Sequence, residues 1–218
     1  MTPSMSPEMS PGTNSGTNPS TSPETSPGKG LRLVLKRTLQ AIALVLVFPW
    51  ALICGFGRLL PVYTIGAHVM ALGPGAIGNF LRAAYYRLTL RDCSIDTNIA
   101  FGTYVVHPDT VIGSHVSVGA YCVIGKVSIG RGTQIASHVE ITGGRHQHTR
   151  DAEGRFAEAV HQALTIGEYC WIGASAIIMA TVGARTTIGA GAVVVKDIPA
   201  GVVAAGNPAR ILRGTEET

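Results

Sequence analysis

Between Thr142 and Thr165 the chain reads TGGRHQHTRDAEGRFAEAVHQALT and carries His146, His148, Asp151 and His161. Imidazole titrates near neutral pH, so a histidine is the side chain best suited to take up and return a proton there, or to bind a metal as the neutral ring. His107 precedes this stretch in GTYVVHPDT, and a basic group of Lys196, Arg210 and Arg213 follows it. The same residue types also fit a loop histidine with no role, an outward structural His107 and a plain basic terminal cap. The four cysteines, Cys54, Cys93, Cys122 and Cys170, include no CxxC pair. They indicate neither a zinc ribbon nor a disulfide framework, and they fit a reducing compartment.

The frame that must position these residues is a pair of Ile-Gly ladders, at 112–141 and 166–194, on either side of the histidine stretch. An aliphatic residue recurs at Ile112, Val118, Ile124, Ile129, Ile135 and Ile141, and again at Ile166, Ile172, Ile178, Val182, Ile188 and Val194. A small or β-branched residue follows at the fourth step, as at Val116, Cys122, Thr133, Val139, Cys170, Ala176, Thr186 and Ala192. A short fixed period of this kind predicts a stacked parallel β-helix. Hairpin strands alternate with period two and would not hold one aliphatic in phase every six residues. Each unit supplies a short strand with its aliphatic inward, then a corner where Gly removes a clashing Cβ. One aliphatic per unit makes a thin core, so both open ends of the stack need covering. Packing accounts for Cys122 and Cys170. Trp171 falls on an outward position, and His115 and His138 read as surface or interface residues. The insertion at 142–165 is long for a regular scaffold, and such loops are usually functional or disordered.

With 218 residues, 46% hydrophobic and 14% charged, the chain allows one substantial domain plus extra segments. A net charge of +4 without a basic run interleaved with aromatics argues against a nucleic-acid partner. Residues 1–30 are dominated by Ser, Thr, Pro and Gly, which predicts a disordered tail. The apolar run begins too late for a signal peptide. Residues 31–71 read as a hydrophobic, membrane-associated segment, re-entrant or transmembrane. Thr38–Gly57 is 20 residues without a charge, just long enough to span. Lys29, Arg32, Lys36 and Arg37 precede it and place that side in the cytoplasm. Pro49-Trp50 in mid-run and Arg58 just after it favour a kinked pair with both ends on one side; a helix buried under the ladder is the third possibility. Residues 72–91 predict a capping helix that opens near Pro74, with Ile77, Phe80, Leu81, Ala84, Tyr85 and Leu88 inward and Asn79, Arg82 and Arg87 off that face. Residues 92–218 form the β-helix domain.

The ladder, the histidine loop thrown out in mid-ladder, TIGEYCWIGASAII, IGAGAVVVKDIP and the ending VVAAGNPARILR together resemble the hexapeptide-repeat acyltransferases, especially the maltose, galactoside and polysaccharide O-acetyltransferase branch. The resemblance covers about residues 90–213. It implies a left-handed parallel β-helix, a homotrimer with active sites between subunits, and acetyl-CoA or another acyl-CoA as co-substrate, without a metal. It also implies a loop histidine as general base, a role worth roughly 10²–10⁴ in rate. The family places an acidic residue shortly after this histidine. His148 followed by Asp151 fits that pattern, although the Pro that commonly follows the histidine is missing, and His146 is the other candidate. Asp151 would orient the ring, or pair with Arg150 or Arg155. By the same matching Ala174, Ala190, Val195 and Lys196 contact the cofactor, largely through backbone, and Arg210 and Arg213 lie near its phosphates, where a guanidinium fork is suited. His107 would line the acceptor pocket.

The implied function is O-acylation of a sugar hydroxyl on a glycan, glycolipid or polysaccharide precursor. It would take place on the cytoplasmic face of the cell inner membrane, where acyl-CoA is available, and this favours the re-entrant topology. An N-acyltransferase acting on an amino sugar and a non-catalytic membrane-attached scaffold are the alternatives. A γ-type carbonic anhydrase would need two zinc-binding histidines within one coil, and IGEYCWIGASA has none.

Overall fold

The computed structural model describes residues 27–142, 153–155 and 164–214. The tail expected over 1–30 lies outside these up to Ser26, and the first helix already begins at Pro27. Three helices lead into the stack: α1 (Pro27–Ile53), α2 (Leu60–Ala71) and α3 (Gly75–Thr89).

Short strands then wind in repeating triplets. They run β1 (Asp92–Cys93), β2 (Asn98–Ile99) and β3 (Tyr104–Val105), then β4 (Val111–Ile112), β5 (Ser117–Val118) and β6 (Val123–Ile124). The third turn holds β7 (Val127–Ile129), β8 (Gln134–Ile135) and β9 (Glu140–Ile141), and the fourth β10 (Leu164–Ile166), β11 (Trp171–Ile172) and β12 (Ile177–Ile178). The fifth turn passes Val182, β13 (Thr187–Ile188) and β14 (Val193–Val194), and Ile198 leads to β15 (Val202–Ala205) and β16 (Arg210–Gly214).

Equivalent strands of successive turns pair in parallel and make three faces: β1-β4-β7-β10, β2-β5-β8-β11-β13-β15 and β3-β6-β9-β12-β14. Val182 and Ile198 extend the first face as parallel bridges. The result is the parallel β-helix that the period predicts. All twelve ladder aliphatics are buried, from Ile112 to Val194, and so are the eight fourth-step residues. The neighbour that excludes a Cβ at the corner glycines is the backbone of the next coil: at Gly113 a Cβ would sit 2.7 Å from the Arg131 nitrogen.

The three edges of the prism differ. Along the first edge (first face to second) and the second edge (second face to third) the inward residues are always six apart, and a left-handed residue turns most of the corners. Examples are His115 (φ 57), Tyr169 (φ 55) and Arg185 (φ 56) on the first, and Tyr121 (φ 56), His138 (φ 60) and Ser175 (φ 58) on the second. Gly132 (φ 68) is required twice over, since a Cβ there would also meet the Tyr169 ring at 2.5 Å. Along the third edge, from third face back to first, the step varies: Val105 to Ile112, Ile124 to Ile129, Ile141 to Ile166, Ile178 to Val182 and Val194 to Ile198. The long loop is therefore one member of a column of irregular corners. Thr142 still donates to the Ile178 carbonyl at 3.0 Å, and the ladder resumes at Leu164.

Both ends are covered. At the C-terminal end β16 pairs antiparallel with β15. At the other end the cap meets the exposed strand edge group by group: the Val105 nitrogen donates to the Tyr86 hydroxyl at 3.0 Å, the Val105 carbonyl accepts from the Tyr63 hydroxyl at 2.9 Å, and the Gly102 nitrogen donates to the Ala71 carbonyl at 2.9 Å. The expected inward face of α3 holds at Ala84 and Tyr85, with Phe80, Leu81 and Leu88 packed against the core, and is corrected at two positions. Ile77 is 76% exposed and Arg82 is 0% exposed. Arg82 donates to the carbonyls of Ile99 (2.6 Å), Met70 (3.0 Å) and Gly73 (2.7 Å) and to Asn79 Oδ1 (2.5 Å). Carbonyls at the end of α2 form the negative end of that helix, and they draw the guanidinium inward. Burial in turn lowers its pKa.

The segment expected to reach the membrane is also changed. The charge-free run Thr38–Gly57 is not one helix: α1 continues through Pro49 to Ile53, and the chain reverses at Gly55, Phe56 and Gly57, all at positive φ. Among the described residues no helix is long and apolar enough to cross a membrane. One stripe of α1, Gln40, Ala43, Val47 and Ala51, is buried, as is Cys54 just after it, whereas Leu31, Leu35, Ile42, Val45, Leu46 and Leu52 are exposed.

Candidate active site

His146, His148, Asp151 and His161 lie outside the described residues. What the structure gives is where their loop is rooted: at the third edge, after Thr142 and before Leu164. His107 turns the same edge two coils below that root, Lys126 one coil below, and Val195-Lys196 two coils above. At the usual strand spacing of about 4.8 Å, each of the two-coil intervals is roughly 10 Å.

The lower part of this edge is tied together. Lys126 Nζ lies 2.8 Å from Asp109 Oδ2, and His107 Nδ1 lies 3.7 Å from the same oxygen. The Lys126 ammonium holds the Asp109 carboxyl below its usual range. Leu164, where the chain returns from the loop, donates to the Lys126 carbonyl at 3.3 Å. The Arg91 nitrogen donates to the Pro108 carbonyl at 2.7 Å. The Lys126–Asp109 pair escapes sequence reasoning, where the only signal is the short step between Ile124 and Ile129.

Ala174 and Ala190 occupy the second edge, one directly above the other, with Gly191 donating to the Ala174 carbonyl at 2.8 Å. The next coil continues the column with Ala205-Gly206, since the Gly206 carbonyl accepts from Val193 at 3.0 Å. Ala174-Ser175, Ala190-Gly191 and Ala205-Gly206 thus form a strip without a side chain longer than Ser, and a Cβ at Gly191 would meet nothing within 4 Å. Below it the same edge is bulky, with Tyr121 stacked on His138 at 5.5 Å. Arg210 pairs with Ala205 and so stands at the top of the open strip. Arg213 pairs with Val203, farther along the strand.

The predicted site residues therefore divide. Ala174, Ala190 and Arg210 come together on the second edge. His107, the root of the histidine loop, Val195 and Lys196 share the third edge, across the full width of the third face. A backbone strip with an arginine at its end suits a ligand that is elongated, phosphorylated and held mainly by backbone groups. Among the described residues no group of three or more His, Cys, Asp or Glu is placed to hold a metal ion. Arg155 pairs with Glu153 at 3.0 Å.

Comparison with known proteins sets this geometry in context. Residues 109–143 match the family described as bacterial transferase hexapeptide (six repeats). The galactoside O-acetyltransferase of Escherichia coli K12 is 41% identical over 91 residues, 40% of this chain and 43% of that relative. The chain thus spans less than half the length of that curated relative. The structure of a maltose O-acetyltransferase from Clostridium difficile 630 superposes with a TM-score of 0.62 at 25% identity, covering 73% of this chain and 90% of that one. A galactoside acetyltransferase solved in complex with coenzyme A shares the fold, with a TM-score of 0.50 at 24% identity over 72% of this chain and 83% of that one.

Proposed function

We propose that this hexapeptide-repeat chain, of the maltose and galactoside O-acetyltransferase branch, is an acyl-CoA-dependent O-acyltransferase acting on a sugar hydroxyl of a glycan, glycolipid or polysaccharide precursor. The observation that carries the reading is the open strip Ala174–Ala190–Ala205 with Arg210 at its top, on a fold shared with a coenzyme A complex. Acyl-CoA supplies the activated acyl group as a thioester. Backbone groups of the strip would hold its arm, and Arg210 and Arg213 its phosphates, with Val195 and Lys196 as further contacts.

His148, with His146 as the alternative, removes the proton from the acceptor hydroxyl. The oxygen attacks the thioester carbonyl carbon, backbone N–H groups at the coil corners stabilise the oxyanion, and the imidazolium returns its proton to the sulfur as the carbon–sulfur bond breaks. Asp151 orients the ring, and no metal is required.

Within one chain the strip and the root of the loop stand on different edges. A homotrimer of left-handed helices, in which one subunit's third edge faces its neighbour's second edge, would bring them together. The exposed apolar stripe of α1 and the exposed Arg32 support attachment through residues 31–71, lying in the interface rather than crossing it, while Lys36 and Arg37 are engaged by Asp96. The cytoplasmic face of the cell inner membrane, where acyl-CoA is found, is the proposed location.

The test is acceptor-dependent release of free thiol from acetyl-CoA. His148→Ala is expected to lower kcat by about 10²–10⁴ while acetyl-CoA binding is retained. Unchanged turnover in both His148→Ala and His146→Ala would remove the loop base. A folded protein that releases no thiol with any sugar acceptor would favour the scaffold reading, and transfer confined to amino sugars would favour N-acylation.

A further inference from the structure

A cavity of about 550 Å³ opens at the lower end of the third edge, where the α1–α2 turn, the end of α3 and the His107–Asp109 corner meet. Phe56, Arg58 and Leu60 line it from the turn, Arg91 from the end of α3, and His107 and Asp109 from the corner. Two features of this lining are distinctive together. One wall is apolar and exposed, with Phe56 at 42% and Leu60 at 46%, and Leu59, Leu52 and Ile53, next to them in the chain around the same turn, are exposed as well. The other wall is cationic. Arg58 and Arg91 are both exposed, and among the described residues neither guanidinium is hydrogen-bonded to a carboxylate. The lining carboxylate, Asp109, is held by Lys126 at 2.8 Å, so the cavity keeps a net positive charge.

We propose that this cavity binds the acyl acceptor through a phosphate group carried on a hydrocarbon chain, with Arg58 and Arg91 on the phosphate and Phe56 and Leu60 against the chain. The inference rests on the acyltransferase reading and narrows its acceptor to an amphiphile, a sugar linked to lipid through phosphate. Arginine forks match phosphate oxygens with paired donors. The apolar wall belongs to residues 31–71, the segment that would meet the bilayer, so the chain of such an acceptor need not leave an apolar environment. The direction of presentation also fits. The loop root lies two coils above the His107 corner on the same edge, roughly 10 Å away, a gap that a sugar carried on the phosphate would bridge. Along that interval Leu164 donates to the Lys126 carbonyl, Lys126 holds Asp109, and the Arg91 nitrogen donates to the carbonyl of the adjacent Pro108.

The experiment titrates the full chain by calorimetry with citronellyl phosphate, citronellol and inorganic phosphate, and in parallel with acetyl-CoA. Citronellyl phosphate is expected to bind at least about tenfold more tightly than citronellol or inorganic phosphate, and Arg58→Ala and Arg91→Ala each to weaken it by about tenfold. Arg87→Ala, on an exposed arginine of α3 paired with Asp92 at 3.6 Å and outside the cavity, should leave it unchanged. Equal binding of citronellol and its phosphate, an Arg58→Ala/Arg91→Ala double variant that binds like the parent, or an equal loss in Arg87→Ala would each overturn the proposal. Retained acetyl-CoA binding with no citronellyl phosphate binding sinks this inference alone and leaves the transferase reading in place. Phosphate-dependent citronellyl binding without acetyl-CoA binding overturns the acceptor role instead.

Discussion

A guanidinium without solvent contact joins three parts of this molecule: Arg82 of α3 gathers carbonyls from the end of α2, from Gly73 and from Ile99 of the first coil. Removing it leaves several buried acceptors without donors, each of which carries a desolvation penalty. Arg82→Met is therefore expected to destabilise the protein by about 3 kcal/mol, read as a lowered midpoint of thermal or denaturant unfolding. A variant as stable as the parent would mean that apolar packing alone holds the cap. Helical periodicity puts Arg82 on the outer face, because spacing registers residue type and not the carbonyls that tertiary structure will bring to it. The ladder residues are the opposite case. Ile112 to Val194 are legible because their burial follows from the period itself, and each lies inside as expected.

At the scale of elements, the same contrast separates the coils from the helices. The short steps Ile124 to Ile129 and Ile178 to Val182 are visible in the sequence, but that both fall on the third edge is seen only from the strand pairing. The reversal at Gly55–Gly57 is not visible, since Pro49 offers a stronger breaking signal six residues earlier, yet α1 runs through it. What fixes α1 is also hidden in pairings distant in sequence. Asp96, on the first coil, receives Lys36 at 2.8 Å and Arg37 at 3.3 Å, and Gln40 also donates to it. The hydrogen bond from Lys36 is the main reason that its pKa falls from 3.8 to about 2. A carboxyl depressed in the folded state stabilises fully above its unfolded value and loses that contribution as pH falls through the folded one. Asp96→Asn should thus lower the unfolding temperature at about pH 6, with a gap that shrinks below about pH 4 and closes only below about pH 2. A gap between variant and parent that persists undiminished to the acid end would contradict the anchoring role of the carboxylate.

For the whole molecule, the arrangement of edges decides how function can be assembled. The second edge offers the open strip, and the third edge holds the root of the histidine loop, His107, Val195 and Lys196. The motif ending NPARILR is expected to serve the cofactor, but the sequence does not show its split: Arg210 joins the strip while Arg213 pairs farther along β15. That division depends on the antiparallel return of β16, which no hexapeptide period encodes. Whether the strip receives acyl-CoA is decided by calorimetric titration of the full chain with acetyl-CoA, parent beside Ala190→Trp and Arg210→Ala. The parent is expected to bind saturably, with binding abolished when an indole fills the strip and weakened about tenfold by loss of the guanidinium. Binding that is unaffected by Ala190→Trp, or no binding by the folded parent, would contradict that role of the strip.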